Sequence, residues 1–342
     1  MVKMNRNRLA AILDRVAGNS QVNQLETIAE QWLENSRMRV KESSYIKYRN
    51  LLQNHILPCM GKTDVAELTT EYIGNFIRQK ISEGRRDGTG GLSEKSVKDM
   101  ITVLRSICSY AGRRGIEAPC HFELLKFRKN SDEVRILDRS ECAVLEQCLF
   151  QDDSLIKTGI LLSLFMGLRL GEVCALQRGN ILYDEAILQI RFTMQRIQTT
   201  GQGKTKKTKI IVTSPKSGNS VRDIPIPEFI LERLEMIRAM PQEAYILTGR
   251  SDKFVEPRSM ENLFKRCLKE CRMEEINYHA LRHTFATRCI EAGFDVKSLS
   301  EILGHANVNI TLNRYVHSSM EQKRANMGKL QCSAERVQAR GA

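Results

Sequence analysis

Residues 154–166, SLIKTGILLSLFM, carry a single charge, Lys157, and are otherwise apolar or small on every face of a helix. A helix of that kind cannot rest on a surface and must lie inside a domain large enough to enclose it. The segment therefore predicts a buried central helix, and the rest of the C-terminal part must supply its surroundings. Gly167 ends the helix, and LRLGEVCAL begins another at once.

The expected surroundings are mostly helical. Upstream, Ser140 is read as the cap of ECAVLEQCLF; downstream, FILERLEMIRAM, SMENLFKRCLKECR and a stretch opening at His279 repeat a helical period. Strands are expected in AILQIRFTMQRI, KIIVTS and SVRDIPIP, separated by TTGQGKTKKT and the turn SPKSGN, which makes a small three-stranded antiparallel sheet appended to a helical domain.

The N-terminal part reads as a separate helical bundle. Leu25, Ile28, Ala29, Trp32 and Leu33 recur at helical spacing, as do Tyr45, Tyr48, Leu51, Leu52 and Ile56 before Pro58 and Gly61. Thr69 or Thr70 caps a third helix, and Ser93 opens a fourth bearing Val97, Ile101, Leu104, Ile107 and Cys108. The organisation expected is a basic extension (1–21), a helical domain (22–115), a linker (116–134) containing Pro119 and a charged run, a larger domain (135–320) and a polar tail (321–342).

The chain has 53 Lys and Arg against 40 Asp and Glu, a formal charge of +13. Residues 1–130 hold 22 basic and 14 acidic groups, leaving 31 and 26 for the remainder, so both halves carry the surplus. That distribution suits a polyanion gripped between two domains. No window approaches eighteen consecutive apolar residues, which argues against a membrane span. The ten cysteines show no C-x-x-C pair and read as reduced core residues of a cytoplasmic protein. Cys267 and Cys271 share a helix face, yet no second Cys or His pair lies nearby in sequence to complete a metal site, so no metal or other cofactor is expected.

Residues 278–317 concentrate groups that suit a phosphodiester: His279 and Arg282 three apart on one helix face, His305 after SLSEILG, and Tyr315 in NRYVH. Arg169 stands between two helices, flanked by Leu168 and Leu170, and Lys216 stands at the tip of SPKSGN. Each has a plainer reading: a salt bridge for Arg169, a helix-terminus cation for His305, a solvated turn for Lys216 and packing for Tyr315. His283, four after His279, reads as a buried, hydrogen-bonded core residue, and Arg282 between the two histidines argues against a zinc pair there. Transesterification at phosphorus needs a nucleophile, cations on the non-bridging oxygens and an acid for the leaving oxygen, and these residues include each type.

The order GLRLGE, a strand turn with lysine, HALRH, LGH ten residues before a tyrosine, and RYVH resembles the tyrosine recombinases, the phage-integrase family, over roughly residues 22–320. The resemblance implies that Arg169 and Arg282 clamp the scissile phosphate and that Tyr315 attacks it to leave a 3′-phosphotyrosine. It further implies that Lys216 protonates the leaving 5′-oxygen, His279 assists proton transfer, His305 hydrogen-bonds the phosphate and Glu172 supports the arginines. The implied fold is mainly α, a core-binding bundle joined to a mostly α catalytic domain with a small sheet, closing around double-stranded DNA. The resemblance also implies that neither ATP nor metal is required. The implied assembly is a homo-tetramer on two recombination sites of a mobile element, with accessory DNA-bending proteins as further partners and residues 321–342 as a candidate protomer-exchange segment. The roughly twenty residues before the first helix leave little for the further arm-binding domain of many such integrases. Type IB topoisomerases share this chemistry, and a regulator could keep the clamp without it; covalent trapping at a defined sequence, against supercoil relaxation on any plasmid, separates the first pair.

Overall fold

The computed structural model describes residues 23–85, 87–127, 135–199, 208–215 and 218–315, with 324 and 327. The basic extension, the stretch 200–207, Lys216 and nearly all of the tail lie outside the described residues. Tertiary contacts divide the described chain into two units, one ending at residue 127 and one beginning at residue 135.

The first unit is built from amphipathic helices α1 (Leu25–Arg37), α2 (Glu42–Leu51), α3 (Thr70–Glu83) and α4 (Glu94–Gly112). Their apolar stripes meet in a core of Leu25, Ile28, Leu52, Ile56, Ile73, Phe76, Leu104 and Ile107. Thr69 caps α3 by accepting from the Tyr72 amide at 3.1 Å, and Ser93 caps α4 from Ser96 at 3.3 Å. Pro58 does not stop the second helix, as its sequence suggests. Proline removes an amide donor and crowds the preceding turn, and the chain passes through a π turn, Leu52–Ile56, before a last turn, Leu57–Met60. Residues 116–127, read as the start of a linker, instead lie against the bundle: Phe122, Leu125 and Phe127 pack on its core, and the His121 amide donates to Thr70 Oγ1 at 2.8 Å.

In the second unit, α5 (Arg139–Phe150) is capped by Asp138 and not by Ser140. Asp138 Oδ1 accepts from the Glu141 amide while the Glu141 carboxylate accepts from the Asp138 amide, a reciprocal pairing that Ser140 lacks the following Glu to make. The apolar segment forms α6 (Leu155–Met166), and its residues Ile160, Leu161, Leu162 and Ser163 have no exposed surface. Around it pack α5, α7 (Leu170–Ala175), α8 (Glu228–Leu234), α9 (Pro257–Glu270) and α10 (His279–Glu291), the enclosure that its composition demands. Its two buried hydroxyls are satisfied: Ser163 Oγ by Tyr278 Oη at 2.8 Å, and Thr158 Oγ1, which donates to the Ser154 carbonyl at 3.1 Å.

The three-stranded antiparallel sheet is present, with a different membership from the sequence reading. Its strands are β1 (Ile181–Leu182), β2 (Ile187–Ile190) and β5 (Arg222–Pro225) in the order β1-β2-β5. The stretch AILQIRFTMQRI breaks at Arg191 and Phe192, and its second half, β3 (Thr193–Gln198), pairs with β4 (Thr208–Thr213) as a separate ribbon. The break is held by Arg191, which donates to the Arg222 carbonyl at 3.0 Å and to Asp223 at 2.5 Å. The segment that contains Lys216, itself outside the described residues, thus joins β4 and β5, strands of two different sheets. Helices α11 (Val296–Leu303) and α12 (Val308–Tyr315) complete the described chain.

Candidate active site

Gly167 ends α6 and Gly304 ends α11 in the left-handed region, with φ of 67° and 63°. That geometry finishes a helix with unpaired carbonyls in its last turn. Here arginines take them up. Arg282 donates from Nη1 to the Gly167 carbonyl at 2.7 Å and from Nη2 to the Leu303 carbonyl at 2.5 Å, and Arg169 donates from Nη2 to the Gly304 carbonyl at 3.1 Å. The negative ends of two helices therefore hold the two guanidiniums. At Gly167 a side chain is excluded twice, by the backbone angle and by the Phe285 ring, whose Cδ1 would lie 2.5 Å from a Cβ.

Glu172, on the first turn of α7, is 2% exposed. Its carboxylate accepts from Arg169 Nη1 at 2.8 Å and from the Arg169 amide at 2.9 Å, and takes both terminal nitrogens of Arg222 at 3.0 and 2.9 Å. Burial alone would push this carboxyl up; the hydrogen bonds and charge of Arg222, then the charge of Arg169, outweigh burial and hold it at about 2. Arg222 also donates from Nε to the Ile302 carbonyl and from Nη1 to the Ser220 carbonyl, so four of its five N–H hydrogens suffice for these contacts and fix it in place. Arg169 and Arg282 each donate two of their five N–H hydrogens to described residues. The cluster sets three guanidiniums against one carboxylate, a surplus of positive charge in a largely dry place. An anion of matching geometry is what such a surplus stabilises.

The histidines stand in the same field. The protein atoms crowding His279, then the charges of Arg282, Arg314 and Arg169, lower its pKa to about 4, although its ring stays open to solvent. Burial, then Arg282 and Arg169, lower His305 to about 4, and Thr311 Oγ1 fixes its Nδ1 at 2.8 Å. Both are neutral near pH 7 while the site holds no anion. Tyr315, the last residue of α12, is half-buried; burial raises its pKa against the opposing charges of Arg282, Arg314 and Arg169.

The structure gathers Arg169, His279, Arg282, His305 and Tyr315 within electrostatic reach of one another. Lys216 lies outside the described residues, but Asn219, three positions on, donates to the carbonyls of His305 and Ala306, both at 3.3 Å. Two further residues belong to the cluster: His283, which its sequence reads as a core residue, and Arg222, which the sequence reading does not single out. His283 is buried, yet its hydrogen-bond partner is Tyr315: Nδ1 and Oη are 2.6 Å apart. Its Nε2 is buried without a partner among the described residues, and burial followed by the charge of His279 lowers its pKa to about 4. The position four after His279 was the available signal. Arg222 is the other; in the alternation of β5 it falls in phase with Ile224 and Ile226, and an inward-facing charge in a strand is rarely idle.

Two family profiles match the chain: "Phage integrase family" over residues 132–322 and "Phage integrase, N-terminal SAM-like domain" over residues 24–81. Among curated relatives, a tyrosine recombinase XerC-like protein of Caldanaerobacter subterraneus is 26% identical over 85% of this chain and 78% of its own length. The ICEBs1 integrase of Bacillus subtilis matches with the same identity and coverage. Among solved structures, the Tn1549 transposon integrase in complex with a circular intermediate DNA superposes with a TM-score of 0.70 at 19% identity, covering 88% of this chain and 99% of that one. A lambda integrase dimer bound to a COC′ core site gives 0.61 at 16% identity over 85% and 96%. At these identities the structures speak for the fold, while the first profile spans more than half of the chain: the protein belongs to the phage integrase family.

Proposed function

We propose that this protein is a site-specific DNA recombinase of a mobile element, cleaving and rejoining double-stranded DNA through a 3′-phosphotyrosine. The observation that carries the reading is the pair Arg169 and Arg282, each anchored by two contacts and each keeping N–H donors in a cluster short of negative charge. A phosphodiester entering there meets two forks that suit its non-bridging oxygens.

In this mechanism Tyr315 Oη attacks phosphorus, the P–O5′ bond breaks, and the tyrosine proton passes to a neighbouring imidazole. Lys216 protonates the leaving 5′-oxygen. Arg169, Arg282 and His305 stabilise the charge on the non-bridging oxygens, and His279 assists proton transfer. The phosphotyrosyl ester conserves the bond energy, so a 5′-hydroxyl from a partner strand reverses the step without ATP. His283 is in contact with the Tyr315 hydroxyl, and its ring neighbour His279, at 4.7 Å, can relay that proton onward. We assign DNA gripping to residues 22–115 and chemistry to 135–320, place the protein in the cytoplasm with its DNA, and expect a homo-tetramer on two sites, aided by accessory DNA-bending proteins and by docking of 321–342 onto a neighbouring protomer.

The test is a joining assay. With DNA spanning the junctions of the element that encodes it, the protein should produce recombinant molecules with exchanged flanks. Relaxation of any supercoiled plasmid without exchanged products would contradict the proposal.

A further inference from the structure

Cys267 on α9 and Cys271 at its C-terminal cap share one face of the helix, two ligands short of a metal site by sequence spacing alone. The fold adds a third thiol from α5. Cys148 Sγ lies 4.0 Å from Cys267 Sγ across 119 residues of sequence, and all three sulfurs lie within 4.8 Å of one another. Cys148 and Cys267 are buried, and Cys271 is half-exposed, which gives the triangle one side facing solvent.

A thiolate–zinc bond is about 2.3 Å long, so three sulfurs lie about 3.8 Å apart around a tetrahedral ion and about 4.0 Å apart around an ion in their own plane. The Cys148–Cys267 edge, at 4.0 Å, is already close to that range, and an adjustment of about an ångström at most at the helix-end Cys271 closes the others. Charge favours a dication. Three thiolates around one leave a single negative charge, and Lys157, fixed by Asp152 at 2.5 Å, stands close enough to Cys148 and Cys267 for its ammonium to offset it. Soft sulfur ligands select soft or borderline ions over Mg(II) and Ca(II).

We propose that Cys148, Cys267 and Cys271 bind a thiophilic divalent d10 cation of the Zn(II) type, with a fourth position open to water on the Cys271 side. None of the three belongs to the arginine and tyrosine cluster, so the ion would tie α5 to the end of α9 and take no part in strand cleavage. Otherwise the three thiols are reduced core residues packing as small apolar groups.

The probe is Cd(II), titrated into the reduced, metal-free full-length chain under anaerobic conditions. The expected result is an ultraviolet thiolate-to-metal charge-transfer band that saturates at one equivalent and is removed by competing Zn(II). Cys271→Ser, a half-exposed position whose replacement spares the core, should weaken Cd(II) binding by at least the roughly 100-fold that even a supporting group outside the ligand set can be worth. Cys59→Ser, at an exposed cysteine elsewhere, should leave binding unchanged. No charge-transfer band, a band that survives Cys271→Ser, or a band lost in Cys59→Ser would each overturn the site.

Discussion

Tyr315→Phe is expected to leave no covalent protein–DNA adduct on a nicked suicide substrate, on which the wild type accumulates one, while DNA binding is retained. The substitution deletes one oxygen. Among the described residues that oxygen's hydrogen-bond partner is His283 Nδ1 at 2.6 Å, and its loss costs the fold about 1–3 kcal/mol, within the margin of an ordinary domain. The chemistry has no such margin. No second tyrosine stands in the cluster among the described residues: Tyr278 is buried behind Ser163, and the hydroxyls of Thr311 and Ser220 are buried and engaged by His305 and the Gly304 carbonyl. Gel separation of adduct from free DNA reads the loss, and a band shift reads binding. An adduct in the phenylalanine variant would remove Tyr315 from its assigned role.

Glu172→Gln has the largest expected effect on stability. The carboxylate is 2% exposed and, among the described residues, is the only negative group bound to Arg169 and Arg222. The neutral amide leaves buried guanidiniums uncompensated, at a cost of about 3–5 kcal/mol. The pH dependence follows from the depressed pKa. A carboxyl held at about 2 in the folded chain, against an ordinary 4.5, contributes stability that is fully present above 4.5 and is lost as pH falls toward 2. Urea denaturation of both proteins should therefore show a constant gap at neutral pH that narrows below pH 4.5. A gap that stays constant well below that value would mean that Glu172 stabilises by shape and not by charge. Because each arginine also sits on a helix-end carbonyl, the variant should lose cleavage along with stability as the two forks drift from their positions.

The features legible in the sequence were those that local rules govern. The apolar run 154–166 demanded enclosure and is enclosed, and the stripes of Leu25, Ile28 and Leu104 found one another because a 3.6-residue period survives any tertiary arrangement. Sequence alone sets the cap of α5 two residues late because Asp138 and Ser140 are both good caps, and only the reciprocal bond to Glu141 decides between them. Strand partnership was the weakest point. Alternation says which face is inward, but nothing local says that β5 pairs with β2 while β3 turns away to β4. The same limit applies at the site. GLR and LGH announce two helix ends, yet that Gly167 and Leu303 would both offer carbonyls to Arg282 is a tertiary fact. His283 shows the reverse case: its burial was legible, and its partner was not, because a residue 32 positions away had to arrive beside it.

The most direct measurement of the central claim is the identity of the covalent bond. Adduct trapped on a nicked substrate is digested with protease and nuclease, and the DNA-linked peptide is sequenced by mass spectrometry. The account predicts one modified residue, Tyr315, bearing a 3′-phosphate with a free 5′-hydroxyl on the released strand. A linkage to any other residue, or to the 5′ side of the break, would contradict it.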